Sequence, residues 1–444
     1  MKFRLTFLFS LFKYELIILF LLIKISNSNY ISMPFKNSRS LSSLPKTATS
    51  EQITGYLIET DITINMKVGT EPQIIPMSLS LWNKYIYITS NSLEIGVYNK
   101  DKSSSFKTNN ELPIGDQSYF KTGLYCNDTF IFDSNKNIKN ENTSFILTTA
   151  MEYSTEYRKG LIGLQITSYK QEQTLINQLK SKDIINNYYH FIYFNNEDEG
   201  YFVIGASPHQ YNSKRYSYND FRQVNTRVIS QSWELSMTNI KYGETKFDDK
   251  NFDLDYKFGL ISVGVSMKHE YYNDFFEKRI NNGLCEEIKI KNYYIYSCID
   301  DDNKVKYNEL KDFHFYNLGL EYDFVFTYKD LFITFNNRRY FLITYKINSI
   351  TTILGKPFFR KYTIVFNPDN KQIGHYIKEE VENDEPNSYT KKIILIVIIV
   401  ILIIILISLG FYLFKLFGRK KRKNELDDDN YDYIPDEKNN IGIN

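Results

Sequence analysis

From Gly69 to Ser90 the chain reads GTEPQIIPMSLSLWNKYIYITS. A Gly-Thr-Glu-Pro-Gln turn opens the stretch, and the apolar run that follows ends in the triplet Ser80-Leu81-Trp82. Upstream, Tyr56 to Val68 has the length and apolar–polar alternation of one or two strands feeding the Gly69 turn. The pattern continues beyond Ser90, where short blocks rich in Ile, Tyr, Phe, Thr and Val are separated by Asn, Asp, Gly and Ser. Period-two alternation between turn-forming residues is an all-β signature.

The chain has 444 residues, 43% of them hydrophobic and 16% aromatic, enough to bury one or two sizeable cores. Its 54 basic residues nearly balance 52 acidic ones, for a net charge of +2. No global field therefore recruits nucleic acid, and a partner has to be recognised locally. The five histidines, His190, His209, His269, His314 and His375, are scattered, and no CxxC pair occurs. Neither a metal nor a cofactor is expected.

The ends carry their own signals. Lys2 and Arg4 precede the apolar block from Leu16 to Ile23, and small residues follow at Ser26 and Ser28. This is the order of a secretory signal peptide over 1–28; an uncleaved anchor is the alternative, against which the block falls short of the ~20 residues of a span. Residues 29–54, rich in Ser, Asn and Lys, read as a loose leader. Near the other end, Ile393 to Phe414 contains no charge and is long enough to cross a bilayer as a single-pass helix. The basic cluster from Gly418 to Lys423 marks 415–444 as a cytoplasmic tail, with anionic-lipid binding as a second reading of the same residues. The expectation is a type I protein of the secretory pathway, at the plasma membrane or a secretory-organelle membrane. Its ectodomain, 55–377, would be luminal or extracellular on an acidic stalk, 378–392.

Further landmarks follow in order. They are Tyr98 to Phe106 (YNKDKSSSF), Gly123 to Phe130 (GLYCNDTF), Gly160 to Leu164 (GLIGL), a helically spaced stretch over 173–182, and Trp233 to Met237. Then come Gly259 to Ser266 (GLISVGVS), a helical segment from Tyr271 to Ile280, Asp312 to Tyr316, and Ile353 to Asn367 (ILGKPFFRKYTIVFN). Over roughly Tyr56 to Tyr376 this succession resembles the pepsin-like aspartic proteases. In that family G-T-x-P-Q is followed by a D-T-G triplet, and counting seven residues from Gln73 lands on Ser80. The second family pattern, three apolar residues and then D-[ST]-G, falls on Ser262-Val263-Gly264. Serine stands where each acid is expected.

The resemblance implies an all-β, bilobal fold with an N-terminal lobe over 55–222 and a C-terminal lobe over 223–377 around a long cleft. It implies that 29–54 corresponds to a reduced propeptide and that Cys285 pairs with Cys298. Cys126 is left over as a buried free thiol or as the site of an intermolecular bridge. It places Leu81, Trp82, Val263 and Gly264 on the cleft floor. In the flap, Asp116 stands where a substrate-covering tyrosine is expected, with Tyr119 as a substitute.

Pepsin-type chemistry needs two carboxylates that share one proton, and serine hydroxyls cannot hold it. The expected function is a catalytically inactive surface protein that binds a peptide or protein partner. The alternative is a membrane-anchored aspartic-type endopeptidase with residual or rewired activity, for which the histidine nearest in sequence to either serine is His269. The heavy use of Asn, Lys, Ile and Tyr is that of an AT-rich genome such as a protozoan parasite's. The layout resembles surface proteins of malaria-parasite gametes, which implies a role in gamete formation, egress or adhesion.

Overall fold

In the strand Ile62–Val68 the side chains alternate cleanly: Ile62, Ile64, Met66 and Val68 are buried while Asn65 faces water. That alternation is what a pleated strand with one face on a core requires. Gly69 ends the strand at a φ of +96°, a conformation that costs a Cβ-bearing residue energy. The chain returns antiparallel as Gln73–Ser80, with Val68 opposite Gln73 and Thr63 opposite Ser78. The computed structural model describes residues 29–38, 43–58, 60–90, 93, 97–113, 120–132, 138–151, 159–166, 173–226, 232–246, 254–258, 265–266, 276–277, 279–290, 293–346, 352–378 and 410.

These two strands lie inside a 13-stranded sheet. On one side Gln73–Ser80 runs parallel to Gly160–Gly163, followed by Ile86–Thr89 and the long hairpin Phe120–Ile131 with Lys139–Met151. On the other side come Ile31–Asn37, Glu199–Ile204, His190–Phe194, Ile364–Asn367, Gln372–Tyr376 and Phe221–Asn225. Two six-stranded sheets hold the rest. One is built on Glu234–Tyr242, Leu254–Phe258 and Phe313–Asn317; the other contains Tyr293–Ile299, Arg338–Phe341 and the Cys285–Ile290 strand. The molecule is mostly β with few helices, as the alternation predicts.

The boundary expected at 222/223 does not separate two sheets. Phe221–Asn225 straddles it and pairs with Gln372–Tyr376, while Val365 pairs with Phe191, so the end of the C-terminal part completes the N-terminal sheet. One apolar cluster includes Leu79 and Ile162 together with Phe258 and Phe366. Residues through Glu380 accordingly form one compact unit. Of the unit from Val381 onward only Gly410 is described. Apart from Gly410, the expected membrane helix and cytoplasmic tail therefore lie outside the described residues, as do the expected signal peptide and nearly all of the stalk. No helix among the described residues is long and apolar enough to cross a membrane.

Two sequence expectations need correction. The leader is not loose: Ile31–Asn37 is a strand with Ile31, Met33 and Phe35 at most 2% exposed, and Ser50–Ile58 is a helix. Tyr56 to Ile58 therefore belongs to that helix and not to a strand. The cause is tertiary packing. Ile53 and Leu57, one helical turn apart, enter a cluster with Ile288, Tyr340 and Leu342, and each such burial is worth about 1.5–3 kcal/mol.

Other expectations are met. The 173–182 segment contains the helix Leu175–Ser181, whose Thr174 side chain caps the Asn177 amide. Residues 276–277 and 279–280 of the expected second helix are helical. Cys285 and Cys298 form a disulfide across paired strands. Cys126 is free and buried, and burial pushes its thiol up to about 11, which makes it unreactive near neutrality.

Candidate functional site

Ser80 is the last residue of its strand, and the chain turns sharply behind it. The turn is fixed from Gly160–Gly163: the Leu164 amide donates to the Ser80 carbonyl at 2.8 Å, and the Gln165 amide donates to the Asn83 carbonyl at 2.9 Å. Gly163 has to be a glycine, because a Cβ there would lie 2.5 Å from the Asn83 carbonyl oxygen. The expected packing of Gly160–Leu164 behind the Ser80 strand is thus present, in parallel register with Ser80 opposite Gly163.

Held this way, the Ser80 hydroxyl is 1% exposed. It donates to Asn83 Oδ1 at 2.7 Å and accepts from the Trp82 amide at 3.3 Å. No carboxylate among the described residues bonds it. The carboxylate that meets this strand is Asp61, directly before Ile62–Val68, and it accepts from the hydroxyl of Ser78, two residues before Ser80, at 3.1 Å. Nor does a histidine among the described residues bond Ser80; His269 lies outside them.

Leu81 points into the core at 2% exposure, whereas Trp82 is 38% exposed. The indole N–H of Trp82 donates to the carbonyl of Phe258 at 2.8 Å. Phe258 ends the strand Leu254–Phe258, directly before the segment that carries the second serine. A mirror-image bond runs the other way. Trp233, from the C-terminal part, is fully buried and donates its indole N–H to the carbonyl of Leu164 at 2.7 Å, next to the Ser80 turn. The two tryptophans of the chain each bind a backbone carbonyl in the opposite part. Ser262, Val263, Gly264, Asp116 and Tyr119 lie outside the described residues, so the site is described on the Ser80 side and at its flank, Phe258.

Sequence landmarks that were quoted separately meet in space. Asp128, of the GLYCNDTF stretch, accepts hydroxyl hydrogen bonds from Tyr98, Ser103 and Ser105 of the YNKDKSSSF loop, the Ser103 bond at 2.9 Å. The Thr129 amide adds a fourth at 2.7 Å. This buried carboxylate is a structural hub with its acceptor capacity in use, not a reacting group. Ser103 Oγ also accepts from the Thr70 amide at 3.0 Å, which ties the Gly69 turn to the same hub.

The profile of the eukaryotic aspartyl proteases matches residues 64–376. The chain belongs to the eukaryotic aspartyl protease family. No curated protein matches the chain. The family match begins at Ile64 and ends at Tyr376, so it contains both serine triplets, both tryptophan ties and the disulfide, and it leaves the leader strand outside. Sequence reasoning named Trp82 as a floor residue but missed its bond to Phe258. It also missed Lys356, 3% exposed, which donates to the Thr60 carbonyl.

Proposed function

We propose that this member of the aspartyl protease family binds a peptide or protein segment without cleaving it. The observation that carries the reading is the state of Ser80: a buried hydroxyl closed onto Asn83, with no carboxylate bonded to it among the described residues. Water activation in this family's manner requires a pair of acids sharing a proton, and a hydroxyl bonded to a neutral amide supplies neither member. The exposed indole of Trp82, fixed in orientation by Phe258, offers a rigid apolar face for a ligand at that place. The second serine, Ser262, completes the loss on the reading of the sequence.

The proposed setting is a type I membrane protein of the secretory pathway, supported by the apolar segments near each end and the basic cluster after the second. A role in gamete formation, egress or adhesion is the proposal that the layout and composition favour. The purified full-length chain, incubated with a peptide library at acid and at neutral pH, tests the reading by mass spectrometry of the products. No new cleavage products are expected. Turnover that disappears in Ser80→Ala would overturn it.

A further inference from the structure

Two Asn-x-Ser/Thr triplets occur in the chain, Asn127-Asp128-Thr129 and Asn142-Thr143-Ser144, and both fall on the hairpin of Phe120–Ile131 with Lys139–Met151. Such a triplet accepts an N-linked glycan, a bulky polar group that a folded chain accommodates where the asparagine side chain reaches solvent. The two asparagines differ in that respect. Asn127 lies on the middle strand of three, with Lys107 opposite it on one side and Ser144 on the other. Its Oδ1 accepts from the Ser144 hydroxyl at 2.7 Å, and its chain neighbours Cys126 and Asp128 are fully buried. A glycan on this carboxamide would crowd the cross-strand serine to which it is tied.

Asn142 is the opposite case. Thr143 pairs with Asp128 and Asn140 with Phe130, so Glu141 and Asn142 together stand against Thr129 alone, as a β-bulge. Asn142 takes a φ of +52°, a conformation that asparagine tolerates better than most residues. Asn140 and Thr143 turn inward at 1% and 0% exposure, while Glu141 and Asn142 are exposed. The bulge is pinned from its inner side. Lys182 Nζ donates to Asn140 Oδ1 at 2.7 Å, to the Asn142 carbonyl at 3.2 Å and to the Glu141 carbonyl. Thr143 Oγ1 donates to the Asn140 carbonyl at 3.0 Å, and the Ser144 amide donates to Gln178 Oε1 at 2.6 Å. None of these bonds uses the Asn142 carboxamide, which bonds no described residue. A fixed backbone thus presents a free carboxamide to solvent.

The bulge lies at the Gly69 end of the sheet, because Val68 pairs with Phe130 and Phe130 with Asn140. Ser80 ends the strand that follows the Gly69 turn, roughly 20 Å further along. A group attached to Asn142 leaves the Ser80 site uncovered.

We propose that Asn142 carries an N-linked glycan and that Asn127 does not. The inference rests on the reading that the chain enters the secretory pathway. In the transfer, Asn142 Nδ2 forms a bond to the anomeric carbon of a lipid-pyrophosphate-linked oligosaccharide. The bond from that carbon to the pyrophosphate oxygen breaks, the lipid pyrophosphate leaves with the electron pair, and the amide gives up one proton to a base of the transferase.

Fragmentation mass spectrometry of the native protein, purified from its own membranes, tests the site. The peptide spanning Asn142 is expected to carry N-acetylhexosamine on that residue, and the peptide spanning Asn127 to be bare. In the full-length chain made in a secreting host, Asn142→Gln is expected to lose the whole glycan mass and to melt with enzymatically deglycosylated wild type, whereas Asn127→Gln keeps the glycan. Protection of the aspartyl protease domain from added protease in sealed vesicles reports entry into the lumen separately. A bare Asn142 in a protected chain overturns the proposal and leaves the secretory reading standing; a bare Asn142 in an unprotected chain overturns both. Sugar on Asn127 overturns the choice between the two sites.

Discussion

Trp82 and Trp233 make the same bond in opposite directions, yet one ring is 38% exposed and the other fully buried. Trp233 sits among His190 and Phe366, with ring centroids 5.9 and 4.9 Å away, and acts as part of the core that joins the two parts. Trp82 spends its N–H on Phe258 and leaves much of its ring to solvent. The difference separates holding from contacting. A polar tie inside a dry core adds stability, whereas the same tie at an open site fixes the orientation of a surface that a ligand can use.

The largest expected effect breaks the buried side. Trp233→Ala should cost about 3–5 kcal/mol, because it opens a cavity and leaves the Leu164 carbonyl without its donor. Trp82→Ala should cost much less, and chemical denaturation of both variants checks the ratio. Equal losses would erase the distinction.

Acid should act on the same dry region. Burial pushes His190 down to about 3 and His375 down to about 4. Unfolded histidines take up protons near pH 6.5 while these two resist, so stability is full above about pH 6.5 and falls as pH drops toward 4. His190 alone should account for a loss on the order of 3 kcal/mol by pH 4. Melting temperatures across that range should fall for the wild type and fall less for His190→Phe. A fold that weakens in acid is poorly suited to acid proteolysis.

Smaller effects sharpen the exposed side. Trp82→Phe keeps the ring and removes the N–H, and should cost about 1 kcal/mol of stability while weakening partner binding, measurable by calorimetry on any captured ligand. Ser80→Ala removes one buried hydroxyl bond and should cost about 1 kcal/mol or less, with no change in peptide products.

Much of this architecture was legible from short-range pattern. The Gly69 turn, the Ser80 strand and the Gly160–Gly163 strand behind it are local signals, and so is the helix near 175, because turn chemistry and alternation act over a few residues. The leader strand was missed because its signal is three alternate apolar residues in a polar segment, and the partner strand it pairs with along most of its length lies more than 160 residues away. The Tyr56–Ile58 helix was missed because packing on Tyr340 and Leu342 overrode a pattern that also fits a strand. At the site, the identity of residue 80 was visible, but its closure onto Asn83 was not. Neither was the Trp82 bond, which spans 176 residues. Contacts of that separation are set by topology, which a single sequence does not display.

The central claim is that the Ser80 site holds a segment and leaves it whole. The most direct measurement is to recover the peptides that co-purify with the full-length protein and with Trp82→Ala, and to weigh them. The account predicts that the wild type yields bound segments with uncut partner sequence, and that Trp82→Ala yields few or none. Fragments with fresh termini at one recurring position, generated by the wild type and absent from Ser80→Ala, would contradict it.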